Sequence, residues 1–327
     1  MPFLWIALLI YPPTIQIPTE VINSLNPLLT LFANNILPIF IAAGIGALLQ
    51  RLLHPDPRSL SQATMYVLTP SLVFTQLVSS DIAGTDMMLM VVLAFLLIFI
   101  MALIGYGLSR ILRLPPKLTS AFILTVAFVN AGNFGLPFTN YALGSDGLAW
   151  ATIFFITSAL CINSLGIYIA SAGAFSPIAA LRKLASFPPL YAVPLALLVR
   201  SFDITLPTFL WRPLELLGNA AVPIMLLLLG MQIAYNGFPK RKGLVALSAI
   251  LRLLISPLIA FGLAAFLQLE SVALQAAIIE SAMPTAVFAS VLALEFNVEP
   301  DFTTGSIFVS TLLSPFTLTP LLALLLA

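Results

Sequence analysis

Long apolar runs alternate with short polar or charged interruptions along the whole chain. Runs near residues 28–50, 60–79, 87–109, 118–143, 148–172, 185–200, 213–235, 243–268, 271–294 and 302–326 predict ten transmembrane helices. Each has about the 20 apolar residues needed to cross ~30 Å of hydrocarbon, except 185–200. That run is short and holds Pro188, Pro189 and Pro194, but the charge pattern requires it. Basic residues gather on the cytoplasmic side of a membrane. An exterior N-terminus puts Arg51, Arg58, Arg110, Arg113, Lys117, Arg182, Lys183, Lys240, Arg241 and Lys242 on one side, and the clusters at 182 and 240 share it only if two spans separate them. Arg200 and Arg212 then fall outside, Arg252 lies within a span, and the acidic loop 295–301 is an exception on the inner side. The predicted protein is therefore multi-pass, in a plasma or inner membrane, with both termini extracytoplasmic.

The two halves of the pattern repeat. TPSLVFTQL from Thr69 resembles VPIMLLLLG from Val222, ATIFFITS from Ala151 resembles GSIFVSTL from Gly305, and TVAFVN ending at Asn130 resembles QAAIIE ending at Glu280. Three pairs in the same order predict a duplication: residues 28–172 as a first five-helix repeat and 185–326 as a second, after an N-terminal interfacial segment, 1–27. Five is odd, so the second copy enters the membrane upside down. The fold class expected is an all-α polytopic membrane protein, ten helices as a 5+5 inverted repeat.

Two runs are interrupted at corresponding places. NAGNFGLP, Asn130 to Pro137, holds two glycines, each costing about 1 kcal/mol relative to alanine in a helix, and a proline that removes a backbone donor. ESAMPTA, Glu280 to Ala286, has Pro284 in its middle. Paired interruptions in the two halves of a transporter mark its binding site. Unwound backbone in hydrocarbon persists only where protein, water or ligand satisfies it, and two breaks that face each other do so jointly. Pro137 and Pro284 are expected to begin the second half-helices, whose positive N-terminal ends suit an anion. The candidate substrate-binding residues are Asn130, Gly132, Asn133, Gly135, Pro137, Ser281, Pro284 and Thr285, the amides and hydroxyls orienting a carboxylate without a buried cation.

Glu280, an acid deep within a span, is expected to be protonated, paired or bound to a cation, and so to couple transport to H+ or Na+; Arg252 is the alternative, an ion-pair partner.

Composition agrees with this picture and removes competitors. The 327 residues are 61% hydrophobic and 8% charged, against roughly a quarter charged in a soluble domain, and the net charge of +1 gives no basic footprint for nucleic acid. One cysteine and one histidine leave no metal-ligand cluster, and neither a GxSxG elbow nor a P-loop is present, so an enzyme and an ATP-driven pump are both excluded and no cofactor is implied.

ILPIFIAAGIGALLQR from Ile36, YVLTPSLVF from Tyr66, NAGNFGLP, SAMPTAVFASVLALEF from Ser281 and VSTLLSPFTLTPL from Val309 together resemble the auxin efflux carrier family, over about Ile36 to Pro320. The family contains plant PIN carriers and bacterial malate-permease-like proteins. The resemblance implies substrate beside the crossover prolines, here Pro137 and Pro284, a scaffold of helices 1, 2, 6 and 7, a moving transport domain of helices 3–5 and 8–10, and a homodimer in membrane lipid. Only about ten residues follow Gly173 where plant carriers have a long hydrophilic loop, which suggests the compact prokaryotic type. The function expected is elevator-type efflux of a small organic anion, such as an auxin-like or dicarboxylic acid. Sodium-coupled symport of the bile-acid type, which shares the crossover architecture, is the alternative, and a channel or receptor is a third class.

Overall fold

The computed structural model describes residues 27–171, 187–233 and 241–326. The interfacial segment up to residue 26, the cations Arg182, Lys183 and Lys240, and the loop after Gly173 lie outside the described residues. Those described are helical almost throughout: α1 (Pro27–Leu53), α2 (57–79), α3 (Gly84–Ile111), α4 (Pro116–Ala127), α5 (Ala131–Ala170), α6 (Pro189–Ser201), α7 (Thr208–Ile233), α8 (Lys242–Phe266), α9 (Ser271–Ser281), α10 (Phe288–Glu295) and α11 (Pro300–Leu325). Among the described residues six helices, α1, α3, α5, α7, α8 and α11, are long and apolar enough to cross a membrane. The expected spans 118–143 and 271–294 are each broken in two, and within the described residues the run at 185–200 is a 13-residue helix. Inside α5, Gly144 has φ 69° and ψ −158°, a conformation open essentially to glycine alone, so the chain turns there between the expected fourth and fifth spans.

Prolines within the helices are accommodated by a repeated device. Before Pro38, Pro70, Pro137 and Pro257 the helix widens by one residue, over Phe32–Ile36, Thr64–Leu68, Ala131–Gly135 and Leu251–Ile255. In each case the residue ahead of the proline (Leu37, Thr69, Leu136, Ser256) donates its N–H to the carbonyl five positions back. A proline ring clashes with the carbonyl four residues back and offers it no donor, and a π-type turn relieves both faults without ending the helix.

The helices pack mainly within two groups. In one, α7 packs along α1 and α2, and α6 packs on α2. In the other, α3 packs on α4 and α5, α9 on α5, and α8 on α9 and α11. The α1–α7 crossing is close enough to admit only glycine at two points. A methyl at Gly46 would strike the Leu227 carbonyl, and one at Gly230 the Ala43 carbonyl. Small residues that let backbones approach are how helices associate where lipid removes the hydrophobic drive. Large apolar side chains such as Ile41, Phe99, Phe209, Phe266 and Phe316 point outward, as lipid-facing surfaces require.

Polar contacts join loops at opposite ends of the bundle. Arg241 pairs with Glu299 at 3.0 Å, which gives the acidic loop 295–301 a cation on its own side. Arg200 donates to Ser80 at 3.5 Å at the other end. Asp56 caps α2, accepting from the Arg58 N–H and the Ser59 hydroxyl, each at 3.0 Å; these bonds hold its carboxyl below its ordinary range.

Candidate functional site

Two chain breaks meet inside the second group. After α4 the chain runs extended through Phe128, and after α9 it stays non-helical through residues 282–287. The Asn130 N–H donates to the Pro284 carbonyl at 2.8 Å and the Ala286 N–H to the Phe128 carbonyl at 2.9 Å, placing Val129 opposite Thr285 in a single antiparallel bridge. Each break thus supplies the donors and acceptors that the other lacks, which removes a penalty of several kcal/mol per unpaired group in hydrocarbon.

The breaks do not fall where the prolines stand. Helix resumes at Ala131 through the widened turn, and Pro137 opens the regular α-helical part that starts at Leu136. Pro284 does not begin a half-helix, since α10 starts at Phe288; it contributes its carbonyl to the bridge.

A cavity of about 480 Å³ adjoins the crossover. It is lined by the starts of both second half-helices, Ala131 to Asn133 and Ala286 to Phe288, and runs toward the N-terminal end of α2, where Arg58 is exposed. Both of these half-helices therefore turn their N-terminal, partly positive ends to the cavity wall. Its other polar lining is Ser61, Gln62, Thr64, Thr69, Asn130, Ser158, Asn163 and Gln232, and its apolar lining includes Phe155, Met225 and Leu228. Arg58 is the one charged side chain among the described lining residues.

The expected site residues divide into two sets. Asn130, Gly132 and Asn133 line the cavity. The buried Asn130 Nδ2 has no protein partner, Asn133 Nδ2 donates to Gln232 Oε1 at 3.5 Å, and a methyl at Gly132 would lie 2.9 Å from the Phe155 ring. Gly135, Pro137, Ser281, Pro284 and Thr285 are buried outside that lining. The Ser281 hydroxyl donates to the Ile278 carbonyl at 2.7 Å and that of Thr285 to the Thr125 carbonyl at 2.9 Å, so both are engaged in holding backbone.

Glu280 lies behind the crossover, fully buried. Its Oε1 accepts from the Thr139 hydroxyl at 2.9 Å, its Oε2 has no partner, and the Gly135 backbone lies against the carboxylate. Arg252 makes no ion pair with it; the guanidinium donates instead to Val126, Ala127 and Ser281 carbonyls.

Arg58, Gln62, Asn163 and Gln232 were not among the residues singled out from sequence. Asn163 and Gln232 carried a usable signal, since each is an amide inside an apolar run, and such groups are costly in lipid unless they face a partner or a cavity.

Similarity to known proteins identifies the family. A family model described as "Membrane transport protein" matches residues 31–322. An uncharacterized transporter of Methanothermobacter thermautotrophicus is 30% identical over 261 residues, 79% of this chain and 86% of the relative. An uncharacterized transporter of Methanocaldococcus jannaschii is 26% identical over 265 residues, 78% of this chain and 85% of its own. What the NAGNFGLP and SAMP motifs suggested as a resemblance is thus membership: the chain belongs to the membrane transport protein family, that of the auxin efflux carriers.

Proposed function

We propose that this protein is a secondary carrier of small organic anions, such as auxin-like or dicarboxylic acids. The reading rests on one observation: two breaks joined at Val129 and Thr285 border a cavity whose polar lining, among the described residues, is amides, hydroxyls and Arg58, with no acid. Half-helix N-termini and the free Asn130 amide offer donors to a carboxylate at mid-membrane depth, and the aromatic and aliphatic wall suits the rest of the molecule.

Ten spans in a 5+5 inverted repeat account for the paired breaks. Span four is then α4 with the start of α5 up to Gly144, span five is the remainder of α5, and span nine is α9 with α10. The two packing groups support a division into a scaffold (α1, α2, α6, α7) and a moving transport domain (α3–α5, α8–α11) that carries the crossover in an elevator-type cycle. With both termini outside a plasma or inner membrane, the cavity's extension toward Arg58 opens it to the cytoplasm, the side from which an exporter loads. A homodimer formed through the scaffold completes this reading.

Ion coupling through Glu280 is the second element. A fully buried carboxylate with one free oxygen and one hydroxyl partner is built to hold either a proton or, with further oxygens, a sodium ion. Sodium-coupled symport is the specific alternative that this geometry favours.

Counterflow of labelled monocarboxylates, dicarboxylates, amino acids and indole acids in proteoliposomes tests the reading. Exchange of at least one acid class, saturable and with its KM raised in Asn130→Ala, is expected. No counterflow of any acid removes the carrier proposal, and uptake that needs sodium after the proton gradient is collapsed replaces it with symport.

A further inference from the structure

Arg252 stands in the middle of α8 with its guanidinium fully buried, among the largest side chains of the interior to be so. A buried cation is costly unless hydrogen bonds or a counter-charge compensate it, and no carboxylate among the described residues bridges to it. Nη1 donates to the Val126 carbonyl at 2.8 Å and the Ala127 carbonyl at 3.1 Å. Nη2 donates to the Ser281 carbonyl at 2.9 Å and to the Ser256 hydroxyl, and that hydroxyl donates to the same Ser281 carbonyl at 2.8 Å.

These carbonyls belong to the last residues of α4 and α9, the two helices that stop at the crossover. The donor that would serve Val126 in a continuous helix is the Asn130 N–H, which is bound to Pro284. The donor that would serve Ser281 is the Thr285 N–H, which is bound to the Ser310 hydroxyl. Breaking the helices orphans these acceptors at two ends that each carry roughly half a negative charge, and one guanidinium meets both. Ser248, four residues before Arg252, adds a bond to the Thr125 hydroxyl at 2.9 Å, so one stripe of α8 touches the ends of both broken helices.

We infer that Arg252 is a positioning residue, a shared C-terminal cap that holds the ends of α4 and α9 side by side and so keeps the two breaks paired and Asn130 aimed at the cavity. Its consequence for transport rests on the carrier reading above; its consequence for the pairing of the breaks does not.

The test reads pairing and transport separately. Cysteines replacing Val129 and Thr285, in a Cys161→Ser background, report pairing through the yield of disulfide under mild oxidation. With arginine at 252 a high yield is expected. Arg252→Met should lower it at least fivefold and abolish counterflow. Arg252→Lys, which restores a cationic donor without the fork, should recover at least half the disulfide yield and, without the added cysteines, transport at a raised KM. If Arg252→Met does not fold, Ser256→Ala, which leaves the guanidinium in place and removes one donor to Ser281, should lower the yield about twofold. Wild-type yield in Arg252→Met, an Arg252→Lys no better than Arg252→Met, or an unchanged yield in Ser256→Ala where that variant stands in, overturns the assignment. Normal disulfide behaviour across this series with no counterflow even in the wild type would overturn the carrier reading and leave the cap intact.

Discussion

Val129 and Thr285 face each other in an antiparallel bridge whose two hydrogen bonds flank them, from Asn130 to Pro284 and from Ala286 to Phe128. They are residues of two segments 156 positions apart that the hydropathy pattern alone would have made continuous helix.

In such a non-hydrogen-bonded pair the Cα atoms lie about 4.5 Å apart, inside the range of about 4.4–6.8 Å that a disulfide spans. Cysteines at 129 and 285 in a Cys161→Ser background should therefore lose both thiols to mild oxidation, counted by thiol labelling and confirmed by mass spectrometry of the linked peptides. Two thiols that persist would mean the breaks do not pair.

The division of the site predicts two kinds of defect. Asn130→Ala and Asn133→Ala remove donors from the cavity wall. They should raise KM for counterflow by roughly tenfold or more, with thermal stability unchanged, as loss of a hydrogen bond to a charged group implies. Thr285→Val removes the bond to the Thr125 carbonyl, away from the cavity. It should cost about 1–3 kcal/mol of stability and leave KM within about twofold. The opposite assignment of KM and stability defects would refute the placement.

Gly135 and Glu280 are packed so closely that a methyl on the glycine would sit 2.8 Å from Oε1 and 2.7 Å from Cδ. Gly135→Ala should destabilise by about 1–3 kcal/mol, since a fully buried carboxylate has nowhere to move. In a Glu280→Ala background the same change should cost at least 1 kcal/mol less, a coupling that a double-mutant cycle of thermal unfolding in detergent measures. Additive effects would show that the carboxylate is not the obstacle.

Glu280→Gln keeps an oxygen for the Thr139 hydroxyl while removing the charge. Counterflow should persist, and net uptake driven by a pH or sodium gradient should fall to the level of facilitated exchange. Gradient-driven accumulation equal to that of the wild type would take Glu280 out of the coupling step.

Gly46→Ala and Gly230→Ala test the α1–α7 crossing. Each methyl would meet a backbone carbonyl of the other helix, which cannot rotate aside, so the helices must separate. Losses of about 1–3 kcal/mol are expected for each, against a change within about 0.5 kcal/mol for Gly44→Ala, where a methyl meets nothing within 4 Å. Equal behaviour at 44 and 46 would contradict the packing.

The sequence by itself determined that this is a multi-pass membrane protein and located both helix interruptions to within a few residues. Hydrocarbon makes those properties local: each stretch must be apolar to enter it, and glycine or proline weakens a helix wherever it stands. Asn130 and Asn133 were also legible, because amides in an apolar run call for a partner or a cavity. Only the tertiary structure decided that Ser281 and Thr285 hold backbone, that Gln232 and Asn163 join the cavity wall, that Pro284 serves through its carbonyl, and that Arg252 caps two helices instead of pairing with Glu280. A hydroxyl or guanidinium offers the same donors in any fold. Which acceptor it meets depends on how α4, α8 and α9 approach one another, and breaking α4 and α9 creates carbonyl acceptors that uninterrupted helices would have satisfied internally.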